Sequence, residues 1–110
     1  MSSRDKPPTW TFLTNHAQVL LCLAEMPDLR LRDVAERVGI TERATQRIVS
    51  DLVEFGYVHR RRQGRRNHYR INPKAHMRHP AQEGIKISGL LDLLQRNGPS
   101  GRSSPPPSIR

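Results

Sequence analysis

Apolar residues recur at helical spacing in three successive stretches of the chain. Leu13, Ala17, Leu20, Leu21 and Ala24 form the first stripe, and Val19, Cys22 and Leu23 widen it. That width predicts a helix covered on several sides. It starts at Thr14 or Asn15, either of which can cap free amides, and Pro27 stops it after Met26. Leu31, Val34, Ala35 and Val38 stand at i, i+3, i+4 and i+7, which predicts a second helix over 31–38 with Arg32, Asp33, Glu36 and Arg37 on its wet side. Gly39 follows at once and suits a left-handed helix end. Ile40 then returns to the core, and Thr41 is a good N-cap for a third helix over 42–55, closed by Gly56. Thr45, Ile48, Val49 and Leu52 make its inward stripe, whereas Arg43, Arg47, Ser50 and Glu54 point outward with Gln46 and Asp51 on the flanks.

The period then changes. Tyr57 and Val58 open an extended segment, Gln63-Gly64 interrupts it, and residues 67–71 alternate with Tyr69 and Ile71 on one face. This predicts a β-hairpin over 57–71 turning at Gly64, with His59 and His68 across from each other. Beyond Pro73 and Pro80, the stripe Ile87, Leu90, Leu91 and Leu94 predicts a last helix over 81–96. Gly84 and Gly89 weaken it by ~1 kcal/mol each, so it needs a partner surface. The expected partner is the same helix of a second copy, which makes those four residues a dimer interface; folding back on the first helix is the alternative. Trp10 and Phe12 are expected to anchor the N-terminal segment. Residues 97–110, with ten Pro, Ser or Gly among fourteen, predict a disordered tail, and residues 1–9 a flexible N-terminus. The expected domain is therefore 10–96, mainly α with one small β-hairpin.

Composition narrows the class. At 110 residues the chain is read as one domain with a small core. One cysteine excludes a disulfide framework and a Cys-based zinc site within one chain. No apolar run approaches the ~20 residues of a membrane helix. The first eight residues lack the apolar stretch of a secretory signal, so the expectation is a cytoplasmic, reduced protein with no membrane partner.

Charge adds a location. The chain carries 19 Lys+Arg against 10 Asp+Glu, a net charge of +9. Six arginines and no acid fall within residues 59–70: Arg60, Arg61, Arg62, Arg65, Arg66 and Arg70. Residues 10–58 and 71–96 balance nine bases against nine acids. The excess is one local patch at the hairpin, which suggests contact with a polyanion.

Rival chemistries find little support. His76 and His79 lie between two prolines with no acidic ligand beside them, and His16 and Cys22 point in different directions on one helix. No metal and no cofactor is expected. Cys22, among leucines, reads as an inert buried thiol. Asp33 and Glu36 belong to a solvent face and no Gly-rich loop precedes a helix, so no catalytic residues are assigned and the chain is not read as an enzyme.

Two short helices joined by a Gly turn, then a basic hairpin, make a winged helix-turn-helix. Ala35 is small where the helices cross, and Val34, Val38, Ile40 and Ile48 close the core between them. Thr45 departs from the aliphatic residue usual at its place. The run Asp33-Val34-Ala35-Glu36-Arg37-Val38-Gly39-Ile40-Thr41-Glu42-Arg43-Ala44, with Gly56-Tyr57-Val58 and Gly64-Arg65-Arg66-Asn67-His68-Tyr69-Arg70, resembles the MarR/ArsR-type winged-helix transcriptional regulators of bacteria. The metal-binding thiolate pairs of the metal-sensing branch are absent. The resemblance implies a regulator that binds double-stranded DNA. Its recognition helix, 41–55, would enter the major groove, and its wing, 58–71, would lie on the backbone or minor groove.

The residues assigned to DNA are Thr41, Glu42, Arg43, Gln46, Arg47 and Ser50 on the helix, with Arg60, Arg61, Arg62, Arg65, Arg66 and Asn67 on the wing. Independent chemistry agrees: Arg matches guanine O6 and N7, and Gln matches adenine N6 and N7. A homodimer on a near-palindromic site is expected. The alternative is a winged-helix scaffold module, which would expose apolar residues on the third helix. Any small-molecule effector is unknown from the sequence.

Overall fold

Local chemistry opens each of the long helices. The Thr14 hydroxyl accepts the Ala17 N–H at 3.2 Å and starts α1 (Asn15–Glu25), and the Thr41 hydroxyl accepts the Ala44 N–H at 3.0 Å and starts α3 (Glu42–Glu54). Between them lies α2 (Leu31–Val38), which ends at Gly39 with φ +88°. That left-handed backbone lets the Gly39 and Ile40 amides both bond the Ala35 carbonyl, at 2.8 and 3.0 Å, and turns the chain sharply into α3. The computed structural model describes residues 9–95. The expected tail, 97–110, the last residue of the expected domain, Arg96, and all but residue 9 of the expected flexible N-terminus, 1–9, lie outside the described residues.

The hairpin follows α3. Strands β1 (Val58–Gln63) and β2 (Arg66–Ile71) pair antiparallel from Val58–Ile71 at the base to Gln63–Arg66 at the tip. The two-residue loop Gly64-Arg65 has a positive φ only at Gly64, as a type II′ turn requires. Tyr69 also donates its N–H to the Pro27 carbonyl at 3.1 Å, so the α1–α2 connection lies along the outer edge of β2.

The core sits where the three helices meet the base of the hairpin. Val19, Val34 and Val49 are completely buried, and Leu23, Val58 and Tyr69 nearly so. Thr45 is also completely buried; its hydroxyl donates to the Thr41 carbonyl at 2.9 Å while its methyl group packs inward. A buried hydroxyl without a partner would be costly, so this bond explains how a polar residue occupies an aliphatic position. The arrangement is a winged helix-turn-helix.

Four expectations are corrected. The helix expected over 81–96 is broken: Pro80–Gln82 forms a single 3-10 turn, Gly84 takes φ +86°, and only Ile87–Leu94 is α-helical (α4). The segment before α4 is extended, because Met77 N–H bonds the Ile85 carbonyl and Ile87 N–H the Ala75 carbonyl, closing an antiparallel bridge at His76–Lys86. Those bonds hold Ile85 and Lys86 out of helical geometry, so α4 starts only at Ile87. Second, Ile87 and Leu91 turn inward to the chain's own core at 6% and 5% exposure, against α1, while Leu90 and Leu94 are only half-buried and Leu93, outside that stripe, is 74% exposed. The expected four-residue interface stripe is thus divided.

Third, Trp10 and Phe12 do not anchor the N-terminal segment to the domain. They are 67% and 91% exposed and pack edge-to-face on each other, centroids 5.1 Å apart. Finally, His59 pairs with Arg70 and His68 with Arg61, so the two histidines are not opposite each other. Because the turn loop is Gly64-Arg65 and not Gln63-Gly64, the register places each histidine against an arginine.

Candidate nucleic-acid interface

Helix periodicity sorts α3 into a dry side and a wet side. Thr45, Ile48, Val49 and Leu52 are buried, whereas Thr41, Glu42, Arg43, Gln46, Arg47 and Ser50 are exposed. Five of these six, all but Glu42, line one shallow concavity with Ala44, so their polar ends are gathered along a single surface. Within the first turn, Thr41 spends its hydroxyl on the Ala44 amide and keeps its place by that bond. The side chains of Arg43, Gln46 and Arg47 make no hydrogen bond or ion pair with any described residue.

The wing divides its cations between two faces. Strand alternation puts Arg60, Arg62 and Asn67 on the side of Val58 and Tyr69, and Arg61, Arg66, His68 and Arg70 on the other. Arg60, Arg61, Arg65 and Arg70 are exposed and unpaired among the described residues. Three assigned residues are partly engaged within the protein. Arg62 Nε donates to the Gly64 carbonyl at 3.1 Å, Arg66 donates to the Asp28 carbonyl at 2.5 Å, and Asn67 is half-buried with its amide 3.5 Å from the Tyr69 hydroxyl.

Among the described residues no arginine is ion-paired with a described carboxylate, and the ion-pair contacts between them include His16–Asp51 at 2.9 Å and His68–Asp28 at 2.6 Å. Six wing arginines held within one hairpin repel one another unless an outside anion neutralises them. The arrangement therefore offers a positively charged, hydrogen-bond-donating surface with little internal neutralisation.

Tyr57 and Tyr69 are buried, at 8% and 2% exposure, with the Tyr57 hydroxyl donating to the His76 carbonyl. Neither can serve as a platform for unstacked bases, the mode in which single-stranded RNA is read. Sequence reasoning missed Asp28 as the residue that receives both Arg66 and His68. No local signal marks it, because its partners lie 38 and 40 positions away.

Elsewhere, burial pushes the Cys22 thiol above its ordinary value of 9.0, while the Arg37 cation and its hydrogen bond to the thiol oppose the shift. An apolar groove of about 400 Å³ runs between α1, the end of α3 and α4, with Leu20, Leu52, Leu90 and Leu91 in its lining. At its rim the Arg78 guanidinium lies 4.2 Å over the Phe55 ring. Among the described residues no helix is long and apolar enough to cross a membrane.

Residues 13–62 match the model of the IclR helix-turn-helix domain, a segment that runs from the start of α1 into the wing. The ArsR side of the sequence resemblance finds no counterpart in that match. No curated protein matches the chain. Two solved structures are similar to parts of it. One is the PcaV transcriptional regulator from Streptomyces coelicolor in complex with its natural ligand, 32% identical over 55% of this chain and 45% of that one, with a TM-score of 0.48. The other is a MarR family protein of Mycobacterium tuberculosis in complex with salicylic acid, 25% identical over 55% of this chain and 47% of that one, with a TM-score of 0.46. The chain thus spans less than half the length of either.

Proposed function

We propose that this protein is a sequence-specific, double-stranded DNA-binding transcriptional regulator. The observation that carries the reading is the set of unpaired donors on a helix-turn-helix: Arg43, Gln46 and Arg47 on the wet side of α3, beside an arginine wing whose charge is left uncompensated. In this reading α3 enters the major groove, where Arg and Gln forks match the donor and acceptor patterns of guanine and adenine. The wing arginines meet phosphates, which contribute affinity and fix register without reading sequence. The scaffold alternative is disfavoured because the outward positions of α3 are polar.

The active form in this reading is a homodimer on a near-palindromic site. One short helix reads too few base pairs to select a site in a genome, and a two-fold pair presents two helices about 34 Å apart. Leu93 with the half-buried Leu90 and Leu94 is the surface of α4 left for pairing.

Selection of bound fragments from genomic DNA, followed by competition with single-base variants, tests the reading. Arg43→Ala or Arg47→Ala is expected to cost about 1–3 kcal/mol on the selected site and to relax preference at one or two positions. Arg65→Ala combined with Arg66→Ala is expected to weaken all sequences alike and to flatten the salt dependence. Unchanged base preference in both α3 variants would remove that helix as the reader.

A further inference from the structure

A concave site beside the wing is left unassigned by this reading. Between the start of α2 and the wing tip lies a cleft of about 330 Å³ whose lining includes Arg30, Arg65, Arg66, Asp28, Leu31 and Tyr69. Three arginines and one aspartate thus line one cleft. Arg30 occupies the N-cap position of α2 but makes no capping hydrogen bond with its side chain, and neither its guanidinium nor that of Arg65 has a partner among the described residues. Arg66 is held at the cleft wall by its bond to the Asp28 carbonyl, and the Asp28 carboxylate is taken up by His68 at 2.6 Å. The backbone bond from Tyr69 to Pro27 fixes the spacing between the two sides of the cleft. Arg66 and the two walls are therefore already in place, while the Arg30 and Arg65 guanidinium groups are free to donate to an incoming anion.

We propose that this cleft binds one phosphodiester of the DNA backbone. Arg30 and Arg65 donate to the two non-bridging oxygens, a match for the planar guanidinium fork. Arg66 and the Asp28–His68 pair keep the two walls together. The proposal rests on the DNA-binding reading and deepens it by adding Arg30, which lies far from the arginine run in sequence. A phosphate held here would fix the domain's position on the duplex from a third point, besides α3 and the rest of the wing.

The test measures affinity for the selected site and for a random-sequence duplex between about 50 and 200 mM salt. Arg30→Gln is expected to lower affinity for both duplexes by the same factor and to reduce the log–log salt slope by about 0.9, the loss of one phosphate contact. Lys74→Gln, which removes an equal charge outside the cleft, is expected to leave the slope unchanged. Arg30 is exposed, so its variant should melt as the parent does, and a melting curve verifies this. An unchanged slope in Arg30→Gln, with Arg43→Ala and Arg47→Ala still losing base preference, overturns the cleft and leaves the DNA reading standing. An equal slope change in Lys74→Gln overturns it as well, because bulk charge would then account for the effect. Failure of the parent protein to bind any duplex overturns both.

Discussion

The His68 imidazole meets the Asp28 carboxylate at 2.6 Å, joining the wing to the connection between α1 and α2. The contact is half open to water, with side-chain exposures of 31% and 71%. An exposed pair of this kind contributes at most ~1 kcal/mol, so its effect is on order more than on stability. Asp28→Ala is expected to leave the melting temperature nearly unchanged while hastening amide exchange at residues 66–69. Unaltered exchange would show that the backbone bond to Pro27 alone holds the wing in place.

Gly39 gives a sharper expectation. Its φ of +88° lies where side chains with a Cβ are strained, and a Cβ there would meet no atom within 4 Å. The penalty of Gly39→Ala is therefore conformational, about 1–2 kcal/mol, with no steric part. Thermal denaturation should show a drop of about 4–8 °C per kcal/mol for a domain of this size. A melting temperature equal to the parent's would mean that the turn relaxes to another backbone path.

Leu93 and Leu91 lie two positions apart on α4 and should behave oppositely. Leu91→Glu places an unpaired carboxylate in the core, and loss of the folded state is expected. Leu93→Glu touches no core residue, so the monomer should stay folded while self-association and operator affinity fall together. Sedimentation with and without DNA reads the outcome. A parent chain that sediments as a monomer at concentrations where it binds its operator would count heavily against the dimer.

Cys22 links burial to pH. Its thiol is pushed above 9.0 chiefly by desolvation. The folded state thus holds this proton more tightly than the unfolded chain does. Stability owed to the protonated thiol is complete below pH 9.0 and is lost as pH rises past that value toward the raised folded one. Chemical denaturation between pH 8 and pH 10 (~2 units about that value) should show the decline, with a weaker one in Cys22→Ala. The native thiol should also resist alkylation at neutral pH. Rapid labelling of folded protein would contradict both expectations.

Much of this architecture is written in local pattern. The stripe Leu31, Val34, Ala35, Val38 marks α2 at its observed bounds, and Thr14, Thr41 and Gly39 mark its neighbours because capping is a short-range interaction. The end of the chain read poorly for a related reason. Periodicity at Ile87, Leu90, Leu91 and Leu94 is genuine, but nothing local reveals that residues 85–87 pair with residues 75–77 and delay the helix. Trp10 and Phe12 look like core residues by type, yet they find only each other. At the candidate interface, α3 and the arginine run were legible as residues. Asp28 was not, because its role arises from contacts across the fold with the wing, and Arg30 enters the proposed cleft only because folding brings the start of α2 beside Arg65 and Arg66.

The bonds from the wing to the α1–α2 connection also bear on the order in which the molecule folds. A lone two-stranded hairpin is marginal in water, and six arginines make this one more so. Its support comes from residues up to 40 positions earlier in the chain, and closing so long a loop costs entropy before any contact repays it. The helices, with their local contacts, can assemble first. The wing then completes last and frays first, so unfolding should begin at the tip while α1 to α3 are still intact.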